Sequence, residues 1–188
     1  PRYAALTVGA GNTISRPTAG GYAALGVDDL KSPDVTRVRE AARLDLWNSL
    51  QTGFLKEYAS ASPAAHNTVY QRAVRMMHSK SSKAFDLTAE PAKVRDAYGP
   101  SRFGQGCLMA RRLIEQGVPC VEVSLRGIGG WDTHADNFAR TKALSSELDA
   151  GWGTLMADLK DRGLLESTTI AWIGEFGRTP KVNKYGGR

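Results

Sequence analysis

The chain has 188 residues, 41% of them apolar and 23% charged, enough for one domain with an extra subdomain and a core that needs no covalent staple. These proportions exclude a disordered, collagenous or coiled-coil chain. No apolar run reaches the roughly 18–20 residues of a membrane span, and two cysteines are too few for a disulfide framework. The net charge of +6 is segmented, with nine Lys/Arg against three Asp/Glu over 61–112, four against eight over 131–175, and four against none from 176 onward. A nucleic-acid groove wants a continuous basic stripe, so no nucleic-acid partner is expected.

Residues 1–36 are rich in Gly, Ala, Thr, Ser and Pro, and beyond a short strand within 1–8 they read as loop. Val38, Ala41, Ala42, Trp47, Leu50, Phe54, Leu55 and Tyr58 then recur at helical spacing and predict an amphipathic helix of about 20 residues. A second helix is expected over 65–77 after Pro63, and a short third one after Pro91, ending at Tyr98-Gly99. This front half, residues 1–84, is a Gly-rich loop and helical region that carries no visible chemistry.

Residues 85–188 change character. A helix over 102–116 stops at Gly117, and VPCVEVSL (118–125) alternates as a strand. A helix over 137–162 has Phe138, Leu144, Leu148, Trp152, Leu155 and Leu159 as its apolar stripe, and STTIAWI (167–173) reads as a second strand. Strand, helix and strand in that order predict a βαβ unit, hence an α/β fold with a parallel sheet.

A parallel βαβ unit brings the ends of both strands to one sheet edge, where ligands bind in open α/β sheets. The loops RGIGGWDTH and GEFGRTP would then place Asp132, His134 and Glu175 together, with Arg178 just beyond. Asp132 and His134, at i and i+2 in an extended loop, point to one side, and carboxylate plus imidazole suits zinc, manganese or iron. The plainer alternatives are a helix cap at Asp132 or Asp136, a surface histidine, and a Glu175–Arg178 ion pair. Arg178, Lys181, Lys184 and Arg188 offer cations for sulfate or phosphate, Arg178 with the planar fork that suits such oxyanions; a solvated loop is the alternative for the lysines. Trp131 could wall a pocket, whereas Trp47, Trp152 and Trp172 read as packing. Cys120 is expected in the core, with Cys107 buried behind it. His66 and His78 read as surface groups.

The run from Phe85 through GWDTH, and the run DNFARTKALSSELDAGWGTLMADLKDRGLLESTTIAWIGEFGRTPKVN, resemble a large bacterial family catalogued as domain of unknown function 1501. The likeness is close from Phe85 to Arg188 and looser before it. That family is similar to the alkaline-phosphatase superfamily of phosphatases, sulfatases and phosphomutases. The resemblance implies an alkaline-phosphatase-like parallel sheet core and hydrolysis of a small anionic sulfate or phosphate ester. It also implies a divalent metal, zinc first with manganese, calcium or iron as alternatives, held by Asp132, His134 and Glu175. By the same resemblance Glu175 sits where members of that superfamily place a metal-binding Asp followed by His; this chain has Phe176 there, which sets against the hydrolase a second reading, an inactive exported binding or surface-assembly protein. A periplasmic or exported location is implied by the resemblance alone. The start at Pro1 and the stop at Arg188 read as a piece of a larger domain, with the nucleophile expected upstream and a further Asp-His pair downstream, so that this piece by itself would not turn over.

Overall fold

The computed structural model describes residues 5–8, 21–27, 30, 35–58, 60–125, 130–174 and 177–188. The chain divides into two compact units, Val27–Lys83 and Pro1–Gly26 with Ala84–Arg188.

The unit Val27–Lys83 carries helices α1 (Arg37–Glu57) and α2 (Ala61–Met77). Thr36 caps α1, its side chain accepting from the Arg39 N–H at 3.3 Å. The expected second helix begins earlier than Pro63, because a proline in the first turn gives up an N–H that has no intrahelical partner anyway. Trp47 stacks on Tyr70 with ring centroids 4.0 Å apart, and Gln71 donates to Asn48 at 3.0 Å. Neither helix buries a residue, so the stripe Val38, Leu46, Leu50, Phe54 and Tyr58 stays open to solvent.

In the other unit, the chain runs through short 3-10 turns into α3 (Ala92–Tyr98), α4 (Arg102–Glu115) and α5 (Asn137–Asp161). Ser101 caps α4 by accepting from the Gly104 N–H at 3.1 Å, and Gly117 and Gly163 follow α4 and α5 with positive φ, where glycine carries no steric penalty. Helix α4 is the centre: every residue from Phe103 to Arg111 is buried, with α3 and α5 packed against it. Glycines thin its faces. A Cβ on Gly104 would sit 1.9 Å from the Tyr98 carbonyl oxygen, and one on Gly151 of α5 would sit 2.8 Å from the Phe103 ring. Leu108 and Leu159, both 0% exposed, complete this core. Leu108→Ala is expected to cost about 2–5 kcal/mol, read as a lower urea midpoint at unchanged slope. Cys107 is sealed here; burial, with the charge of Glu147 behind it, pushes its thiol up to about 12, so it stays protonated and unreactive.

An ion network crosses the same core. The Arg111 side chain, 2% exposed, reaches Glu90 at 2.9 Å, Glu115 at 2.9 Å and Asp158 at 3.0 Å. Arg112 also pairs with Glu90, and Arg162 bridges Glu115 and Asp158 at 2.6 Å each. Tyr98 donates its hydroxyl to Asp158 at 2.9 Å. Burial works against the Glu90 and Asp158 carboxylates, yet the hydrogen bonds they accept outweigh it and hold both below their ordinary range.

The expected α/β architecture is not what forms. The described residues are mostly helical, and the parallel sheet core is not seen. The parallel pairing among them is a four-residue ladder, β1 (Ala5–Val8) with β2 (Cys120–Val123), in register Ala5 to Cys120 and Val8 to Val123. Residues 167–173 are not a strand: a 3-10 turn takes Leu165–Ser167, and the apolar tail ends with Trp172 64% and Ile173 82% exposed. An alternating, β-rich sequence becomes a strand only when a neighbour supplies ladder hydrogen bonds, and none of the described residues does so here. The βαβ unit is therefore absent, and with it the sheet edge that was to gather the loops. Two packing expectations fail for the same reason. Cys120 is exposed on its short ladder, and Phe138 at the start of α5 is 77% exposed. Among the described residues no helix is long and apolar enough to cross a membrane.

Candidate functional site

Without a sheet edge, two segments still meet, and backbone pairing joins them. The stretch 131–137 leads into α5, and the stretch 177–188 folds back along it. Thr133 and Arg188 exchange main-chain hydrogen bonds at 3.0 and 2.5 Å, Ala135 forms an antiparallel bridge with Gly186, and the Asn137 N–H donates to the Gly186 carbonyl at 2.8 Å. Gly187 lies so close that a Cβ would sit 2.0 Å from the His134 carbonyl carbon. Asp136 stands at the N-cap of α5 with φ 52 and makes no side-chain capping bond; its N–H reaches the Tyr185 carbonyl at 3.4 Å.

Alternation along this short stretch decides what faces where. Thr133, 0% exposed, turns inward, and its hydroxyl donates to Asn137 Oδ1 at 2.7 Å. Asp132 and His134 turn outward, with side chains 49% and 85% exposed, and His134 Nε2 lies 3.2 Å from Asp132 Oδ2. On the other side of the same carboxylate, Arg178 Nε lies 3.8 Å from Asp132 Oδ1, its side chain 18% exposed. The structure thus brings together Asp132, His134 and Arg178. Glu175, with Phe176 beside it, lies outside the described residues. Lys181 and Lys184 are exposed; Lys184 sits over the Tyr185 ring at 4.9 Å. Trp131, next to Asp132, is in ring contact with Trp172 at 6.1 Å, and Trp172 with Trp152 at 6.1 Å, so Trp172 is a pinned but exposed ring rather than core packing.

The 3.2 Å separation is that of a hydrogen bond between imidazole and carboxylate, and two donors on one divalent ion would lie at nearly the same distance. Two zinc bonds of about 2.1 Å meeting at a tetrahedral angle hold their donors about 3.4 Å apart, close to the Asp132–His134 separation. Both groups also come from the donor classes zinc and manganese accept. Among the described residues no third His, Cys, Asp or Glu joins them. What sequence reasoning missed is the support beneath: Thr133, Asn183 and Gly187. Asn-x-x-Gly-Gly at 183–187 is a turn signal that pointed to the last two.

No curated protein and no solved structure matches the chain. A family model does match, over residues 3–188, and that span covers nearly all of the sequence, both connected segments of the site included. The chain belongs to the family described as Protein of unknown function (DUF1501).

Proposed function

We propose that this chain supplies part of a divalent-metal site to a hydrolase of sulfate or phosphate esters, with Asp132 and His134 as metal ligands and Arg178 as the group that receives the anionic substrate. The observation that supports this reading is the 3.2 Å contact of an outward-facing imidazole and carboxylate on either side of buried Thr133, with a guanidinium 3.8 Å from the same carboxylate. A bound zinc ion supplies Lewis acidity toward an ester oxygen and lowers the pKa of an attacking group. The chain's own residues do the rest: Asp132 and His134 hold their donor atoms at ligand spacing, and Arg178 presents a planar fork to a tetrahedral oxyanion. Glu175 belongs to the proposal as a third ligand. Phe176, where relatives carry His, favours the second reading, an exported protein that binds without turnover.

Equilibrium dialysis against zinc, with parallel assays on 4-nitrophenyl phosphate and sulfate, tests the ligand assignment. The wild-type chain is expected to retain zinc, and Asp132→Ala and His134→Ala each to weaken it at least about tenfold. Retention of zinc by both variants at wild-type strength would refute the assignment. Zinc binding by the wild type with neither ester cleaved by a longer parent chain would favour the binding reading.

A further inference from the structure

We infer that Asn183 is a positioning residue that sets the spacing between Asp132 and His134; this rests on reading that pair as metal ligands. The Asn183 side chain uses both ends of its amide. Its Nδ2 donates to the His134 carbonyl oxygen at 3.2 Å, while its Oδ1 accepts from the backbone N–H groups of Tyr185 at 2.8 Å and Gly187 at 3.0 Å. Its backbone closes the same turn, the Asn183 N–H donating to Gly187 at 2.7 Å and its carbonyl accepting from Gly186 at 2.9 Å. One side chain therefore shapes the 183–187 turn and ties that turn to the peptide that carries the imidazole.

That tie matters because the segment it holds turns sharply into α5. Asp136, two residues beyond His134, sits in the left-handed region, which aspartate occupies more readily than most residues but still at some cost. The 183–188 turn meets this bend through the Tyr185 and Gly186 carbonyls, which accept from the Asp136 and Asn137 N–H groups. The Thr133–Arg188 and Ala135–Gly186 pairings hold the residues on either side, so release of the His134 carbonyl frees that one peptide to tilt and moves the imidazole off the Asp132 carboxylate. Groups that orient metal ligands in this way change affinity by about 10- to 100-fold when removed.

The test is a cobalt(II) titration of the full 188-residue chain, followed by the visible d–d absorption of the bound ion, with thermal melting alongside. Two variants are compared. Asn183→Ala removes the whole side chain, and Asn183→Ser keeps an acceptor for the turn but cannot reach the His134 carbonyl. Both are expected to bind cobalt about 10- to 100-fold more weakly with a shifted absorption band, and Asn183→Ser is expected to melt with the wild type. Wild-type affinity and band in either variant that folds would overturn the inference, as would loss of the fold in both, since Asn183 would then be a folding residue. Failure of the wild type to give a His134-dependent band is a distinct outcome: it removes the ligand assignment itself, and the role of Asn183 with it.

Discussion

Arg111→Met should lower the stability of the α3–α4–α5 core by about 3–5 kcal/mol at neutral pH, measured by urea unfolding. The side chain is 2% exposed, and three carboxylates close on it at 2.9–3.0 Å. Methionine fills much of the volume but leaves Glu90, Glu115 and Asp158 facing one another, with Arg112 and Arg162 on the flanks. The pH dependence gives the sign. In the wild type Glu90 and Asp158 titrate below their ordinary values of 4.5 and 3.8, so their contribution is complete above those values and fades as pH falls through the lower folded ones. In the variant the same carboxylates lose their cation and take up protons more readily, which relieves the repulsion. The gap between the two proteins should therefore narrow as pH drops below about 4.5. A gap that stays constant from pH 7 to pH 4 would mean that lost packing, not stranded charge, accounts for the cost.

Gly104→Ala should cost about 3 kcal/mol, because the added methyl meets main chain rather than a movable side chain. Its Cβ would lie 1.9 Å from the Tyr98 carbonyl oxygen and 3.0 Å from that of Gly99, so α3 must back away from α4 to admit it. Gly153→Ala is the matched control on α5. Nothing lies within 4 Å of its Cβ, and a helix-interior glycine replaced by alanine gains up to about 1 kcal/mol. Thermal melting should move the two variants in opposite directions. A Gly104→Ala protein that melts with the wild type would refute the close approach of the two helices.

Local signals carried much of the secondary structure. The 3.6-residue periodicity placed α1 and α5, Pro91 and Gly99 bracketed α3, and Gly117 and Gly163 marked where α4 and α5 stop. Non-local pairing was not legible. The segment 167–173 has the composition of a strand, but composition cannot supply a partner, and the parallel core inferred from it fell with it. For the site, the alternation of Asp132, Thr133 and His134 was readable from spacing alone, and Arg178 was placed beside them for a reason that did not hold. A clip between 131–137 and 183–188, rather than a sheet edge, brings the segments together. The ion network was hidden altogether, since an arginine between Ala110 and Arg112 on a helix gives no sign that it faces inward.

Thr133 gives the 131–137 loop an unusual division of labour. Anchorage lies on one side of three consecutive residues and solvent on the other, because the threonine is enclosed while both its neighbours are open. Side chains at 132 and 134 can therefore change without disturbing the Thr133 contacts that keep the loop in place. Such a loop can vary at its two outward positions while its scaffold stays the same.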